Sequence, residues 1–180
     1  MRIVLDLSDK DIRYFRSCLQ TVKQGKHASD ESIVLKAAND MIAEVASADA
    51  PEFVKDRIGK LELLVRMLED QRWRLVGNDR ARVLNVLAYF VDPDDLIPDR
   101  IPGIGYLDDA IMVELVVQEL RHEIDAYEKF CAFKPQERDP EDVERKRVAL
   151  QSRMRRNRRS ERERRRTRRR HGAKAPLGLW

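Results

Sequence analysis

Between residues 92 and 109 the chain reads Asp-Pro-Asp-Asp-Leu-Ile-Pro-Asp-Arg-Ile-Pro-Gly-Ile-Gly-Tyr-Leu-Asp-Asp, with three prolines, two glycines and six aspartates. A proline removes an amide donor and pushes the residue before it out of the α region. Asp92, Ile97 and Ile101 are therefore expected to be extended or in turns. Gly103 and Gly105 supply the backbone freedom for a sharp return. The segment is nevertheless too apolar for a solvated linker, because Leu96, Ile97, Ile101, Ile104 and Leu107 can plug a space between helices. A structured corner between two core helices is the expectation.

Away from that corner glycine and proline are few, and apolar residues recur at helical spacing. The fold class expected is all-α, a small bundle of about five helices. A short strand is conceivable only at Ile3–Leu7. The first helix is expected from Ser8 to Gly25 and the second from near Ser29, carrying Ile33, Val34, Ala37, Met41, Ile42 and Val45. The third begins at Pro51, a favoured first-turn residue. It carries Phe53, Val54, Ile58, Leu61, Leu64, Val65 and Leu68 and runs to about Val76. Gly77 and Asn78 read as a stop and a new N-cap before a fourth helix over about Asp79–Phe90. The fifth is expected unbroken from Asp108 to Phe130, with Asp108 and Asp109 at its start, where carboxylates accept free amide protons and favour the helix dipole. Pro135 and Pro140 suggest a boundary, giving a helical domain over 1–135 and an Arg-rich C-terminal tail over 136–180. A sixth helix from Glu141 has so few apolar residues that it is expected to be loosely held or disordered.

Charge is segregated along these two parts. Residues 1–140 hold 20 basic and 27 acidic side chains, and residues 141–180 hold 16 and 5, so a net −7 body precedes a net +11 tail. Such asymmetry suggests a polyanionic partner for the basic part. Its densest stretch contains Arg153, Arg155, Arg156, Arg158, Arg159, Arg162, Arg164, Arg165, Arg166, Arg168, Arg169 and Arg170, and no lysine. The planar guanidinium forks onto phosphate and stacks on bases, which an ammonium cannot do. RNA or a ribonucleoprotein is therefore the expected partner. The chain ends Pro-Leu-Gly-Leu-Trp, and Trp180 after a basic run suits an interface anchor at an anionic membrane surface. That is the alternative. No apolar run reaches the ~20 residues of a transmembrane helix, so a cytoplasmic protein, peripheral at a membrane on the alternative reading, is expected.

At the corner, Ala-Tyr-Phe-Val-Asp-Pro-Asp-Asp-Leu-Ile-Pro-Asp-Arg-Ile-Pro-Gly-Ile-Gly-Tyr-Leu-Asp-Asp-Ala, residues 88–110, resembles the signature of the YkvA-like family, domain of unknown function 1232. The resemblance covers about residues 80–120, and Arg100 stands where an apolar residue is usual. It implies a compact helical hairpin and brings no catalytic residues. Some members of that family are associated with membranes.

Catalytic constellations are sparse, and the residues lean away from an enzyme. Asp92, Asp94, Asp95, Asp99, Asp108 and Asp109 are oxygen ligands of the type Mg²⁺ or Ca²⁺ takes, but aspartate is also the default at turns and helix starts. No cofactor is expected, with Mg²⁺ or Ca²⁺ at the corner, and a metal-dependent enzyme, as a third reading. An EF-hand is excluded, because Leu96, Ile97 and Gly103 fall where its ligands and its glycine belong. Glu119 and His122 form one Glu-x-x-His, the spacing used twice in di-iron bundles, but it occurs once and reads as a solvated face. Cys18 and Cys131 have no partner at metal or redox spacing and are expected to be buried free thiols.

Overall fold

The computed structural model describes residues 30–48, 50–88 and 107–170, with Lys10, Arg13, Tyr14 and Ser17 as isolated positions. Those residues form six α-helices, with no strand among them: α1 Glu31–Ser47, α2 Glu52–Glu69, α3 Gly77–Leu87, α4 Leu107–Glu119, α5 Arg121–Ala132 and α6 Pro140–Arg170. A 3₁₀ turn at Pro135–Glu137 joins α5 to α6. The all-α class follows from the apolar spacing. The expected strand at Ile3–Leu7 and the helix from Ser8 lie outside the described residues.

The second expected helix is present as α1, capped by Asp30, whose side chain accepts from the Ser32 amide. Its inner stripe is Val34, Ala38 and Val45, while Ile33 is exposed. Helix α2 carries the expected stripe, with Val54, Ile58, Leu61, Leu64, Val65 and Leu68 all buried. It packs on α1, α3, α4 and α5 and is the centre of the bundle.

Three boundaries differ from the sequence reading. Helix α2 stops at Glu69, seven residues short of Val76. Asp70 ends it, because the Asp70 carboxylate accepts from the amides of Arg72 and Trp73 and folds the chain into a turn. That turn buries Trp73 against Tyr127 and Phe130 of α5, with ring centroids 5.7 and 5.1 Å apart. Helix α3 begins at Gly77, which has φ +58° and so favours glycine, with Val76 rather than Asn78 at the cap.

The expected fifth helix is two helices, broken at Leu120 (φ −95°, ψ 12°). The cause lies across the bundle. Arg82 of α3 donates from Nη2 to the Glu119 carbonyl at 3.0 Å, a carbonyl that would accept from the Glu123 amide in an unbroken helix. A side chain entering the hydrogen-bond ladder is a recognised source of helix kinks. Leu120 itself is fully buried in the angle.

The charged sixth helix is not loosely held, contrary to expectation. It starts at Pro140, runs 31 residues and packs along α5. Val143, Leu150 and Met154 belong to the same hydrophobic core as α1–α5, and the buried Gln151 side chain donates to the Trp73 carbonyl at 2.8 Å. The sequence reading missed this because only three side chains of the seam are apolar. Arg147, 12% exposed, lies on the same stripe. Long basic side chains cover apolar surface with their stems while the head stays polar.

Candidate functional site

Helix α6 has two faces. At 3.6 residues per turn, Val143, Arg147, Leu150, Met154, Arg158 and Glu161 fall on one stripe. That stripe meets the body. The apolar seam ends at Met154, and from there onward contact is ionic.

Arg158 is the centre of the ionic contact. Its Nη2 lies 2.7 Å from Asp79 Oδ1 and its Nη1 lies 2.6 Å from Glu123 Oε1. Asp79 also takes Arg155 Nε at 2.7 Å, and Glu123 takes Arg82 Nε at 3.0 Å. Arg82 reaches Glu119 at 3.5 Å as well. This network ties α3, α4, α5 and α6 together. Asp79 is at the start of α3, where the helix dipole also favours its charge. The Glu123 side chain is wholly buried, and its Oε2 has no hydrogen-bond partner among the described residues.

Burial pushes the Asp79 carboxyl up, but the hydrogen bonds and charges of Arg158 and Arg155 outweigh it and hold the group below the usual carboxylate range. Burial likewise opposes the charge on Arg158, and Asp79 and Glu123 more than restore it. One turn further, Glu161 lies 2.7 Å from His122 Nε2 and 2.8 Å from Arg121 Nη2, and its Oε1 accepts from Arg165 at 2.6 Å. Burial raises the Glu161 carboxyl, and Arg165 and His122 overcome that and lower it. The Glu-x-x-His pair is thus not a solvated face: His122 is half-buried under α6, and Glu119 turns to Arg82 on the other side of the break.

The twelve arginines divide accordingly. Arg155 and Arg158 are bound to carboxylates of the body, and Arg165 to Glu161 of its own helix. Arg153, Arg156, Arg159, Arg162, Arg164, Arg166 and Arg168 are exposed and form no ion pair among the described residues. Arg169 and Arg170 are the last residues of the helix. Sequence reasoning grouped all twelve and missed Asp79, Arg82 and Glu123, which select which arginines are spent internally. The available signal was that Arg147, Arg158 and Glu161 continue the Val143–Leu150–Met154 stripe.

Of the acidic corner, Asp92, Asp94, Asp95 and Asp99 lie outside the described residues, as does Trp180. Asp108 and Asp109 lie in the first turn of α4, as expected of helix-start residues. No group of three or more His, Cys, Asp or Glu that could hold a metal occurs among the described residues. Cys131 is exposed rather than buried, being one residue past Phe130 and rotated off the buried stripe of α5. Cys18 is outside the described residues.

Fold and site define a small helical body with an arginine-rich helix docked along it by a buried salt-bridge network. Residues 79–115 match the family described as "Protein of unknown function (DUF1232)". The chain is also 34% identical over 82 residues to the "Uncharacterized membrane protein YkvA" of Bacillus subtilis (strain 168), a match covering 42% of this chain and 76% of that relative. The chain belongs to this YkvA-like family, DUF1232. No solved structure matches it. The family match begins at Asp79 and includes Arg82, whereas Arg155 and Arg158 lie beyond it.

Proposed function

We propose that this protein is a non-enzymatic binding module whose outward arginines on α6 engage the phosphates of nucleic acid, RNA foremost. The observation that carries the reading is the set of seven exposed arginines, from Arg153 to Arg168, without carboxylate partners among the described residues. Unpaired guanidiniums on an ordered helix need no rearrangement to meet phosphate, and each neutralised phosphate releases a counterion. The acidic body limits this face to one side over α6's docked portion.

The test uses the intact fold. Deleting α6 would also strip Gln151 and Met154 from the core, so the informative variant replaces Arg153, Arg156 and Arg159 with glutamine. RNA affinity should fall steeply with added salt, and the log–log salt slope should shrink by roughly 2–2.7 in the variant, at ~0.7–0.9 per lost phosphate contact. An unchanged slope would remove the outer face from the site.

A second reading is peripheral attachment to an anionic membrane. It is favoured by the description of the Bacillus subtilis relative as a membrane protein and by the sequence at Trp180. Among the described residues no helix is long and apolar enough to cross a membrane. Against insertion of α6 itself, Val143, Leu150 and Met154 already face the body, and the exposed Val148 with Ala149 beside it is too little for an apolar stripe at an interface. Flotation with phosphatidylglycerol vesicles, lost on Trp180→Ala, together with indifference to RNA, would install this reading in place of the first.

A further inference from the structure

Beyond Glu161 the helix leaves the body. Every residue from Arg162 to Arg168 is exposed, whereas the preceding turns keep one face covered. Residues two apart on a helix are turned by roughly 200° and residues four apart by roughly 40°. Arg162 and Arg166 therefore occupy one flank, and Arg164 and Arg168 the opposite one. Arg165 is held by Glu161, and Thr167 donates its hydroxyl to the Glu163 carbonyl within the helix. Glu163, exposed and without an ion pair among the described residues, falls between the flanks on the Thr167 side, so the two arginine flanks are the free cations of this stretch.

From this we infer that the far end of α6 inserts into a groove of a nucleic-acid duplex, with one arginine flank on each phosphate wall. The inference rests on the nucleic-acid reading above and sharpens it. A flat anionic surface, or a single strand lying along one side, meets one flank and leaves the other in water. Two facing phosphate strands meet both. A helix with its side chains is about 10–12 Å across, and the B-form major groove is about 12 Å wide. The major groove of A-form RNA is too narrow to enter, so an RNA target would be a helix opened by a bulge or internal loop. The shared chemistry is a pair of phosphate strands facing each other across the width of one helix. Phosphate contacts position a protein without reading sequence, and this stretch offers little else, so recognition is of groove shape.

The experiment measures binding of the full-length chain to a DNA duplex, a bulged RNA helix and a single strand of matched length, by fluorescence anisotropy across a salt series. R162Q/R166Q and R164Q/R168Q are compared with the parent, and thermal melts confirm that both retain the fold. The result expected is preference for the DNA duplex or the bulged RNA helix over the single strand. Each double substitution should lower the salt slope on that target by about 2, at ~0.9 per phosphate. If one flank carries the whole effect, or the single strand binds as well as both duplexes, groove insertion is overturned while the nucleic-acid reading stands. If the parent binds none of the three, the nucleic-acid reading falls first.

Discussion

Arg158 and Arg162 stand about one turn apart on the same helix and live in different solvents. Arg158 has a side chain 18% exposed and is clamped between Asp79 and Glu123, whose side chains are 5% and 0% exposed. Arg162 is exposed and has no carboxylate partner among the described residues. The same residue type thus closes the fold at one position and remains available at the next. What separates them is the body, which offers carboxylates from α3 and α5 to the first and ends before the second. Arginine density alone therefore overstates the binding surface, and the acidic residues opposite it decide how much is left.

The sharpest way to break this comparison is Arg158→Met. Removing one partner from a buried ion pair strands the other's charge and typically costs about 3–5 kcal/mol. Here Arg155 and Arg82 remain on Asp79 and Glu123, so we expect the lower end of that range, about 3 kcal/mol, in urea denaturation followed by far-UV circular dichroism. A loss under about 1 kcal/mol, the level of a surface pair, would mean that Arg158 is no more committed to the fold than Arg162 and is equally open to a ligand.

Acid should loosen the same contact with a smaller effect. The Asp79 carboxyl is held below its ordinary value in the folded protein, so its contribution is present above the unfolded pKa of about 3.9 and is lost as pH falls through the folded value. Glu161, also lowered, acts in the same direction. Stability should therefore decline below about pH 4, where these carboxylates begin to take up protons. Asp79→Asn should remove part of that decline and cost about 2 kcal/mol at neutral pH, the scale of a hydrogen bond to a charged group. Trp73 reports the change, since Gln151 of α6 covers its carbonyl. Its fluorescence, read in a Trp180→Phe background, should shift at higher pH in Asp79→Asn than in the parent, because the variant enters the acid range already lacking the ionised Asp79 contribution. Equal midpoints would show that another group drives the transition.

Much of this architecture was legible because helices announce themselves by period. The stripe of α2 is the plainest case, and the cap at Asp30 falls beside the expected start at Ser29. The break at Leu120 was not legible, because it is imposed by Arg82 from another helix and leaves no glycine or proline in its own sequence. The site was half legible. Composition located the arginines, but the pairing of Asp79 with Arg158 spans 79 positions and depends on how α3 and α6 cross. Glu123 gave even less warning, since a glutamate beside a histidine in a charged helix reads as surface, and it is the side chain most deeply enclosed in the network.

The smallest effect expected is the most useful control. Arg162→Gln and Arg166→Gln replace side chains that touch no carboxylate and cover no core residue, and glutamine is close to arginine in helix propensity. Surface substitutions of this kind usually change stability by no more than about 0.5 kcal/mol in either direction. Clearing like charges from the helix surface could even give a slight gain, because arginines four apart repel one another by a few tenths of a kcal/mol. We therefore expect a urea midpoint indistinguishable from the parent's, or marginally higher, together with a reduced salt slope for nucleic acid. That combination separates binding from folding within one helix. A loss of more than about 1 kcal/mol, well outside the range for such a surface position, would mean that Arg162 or Arg166 holds part of the body, and the line between the two halves of α6 would move outward past Glu161.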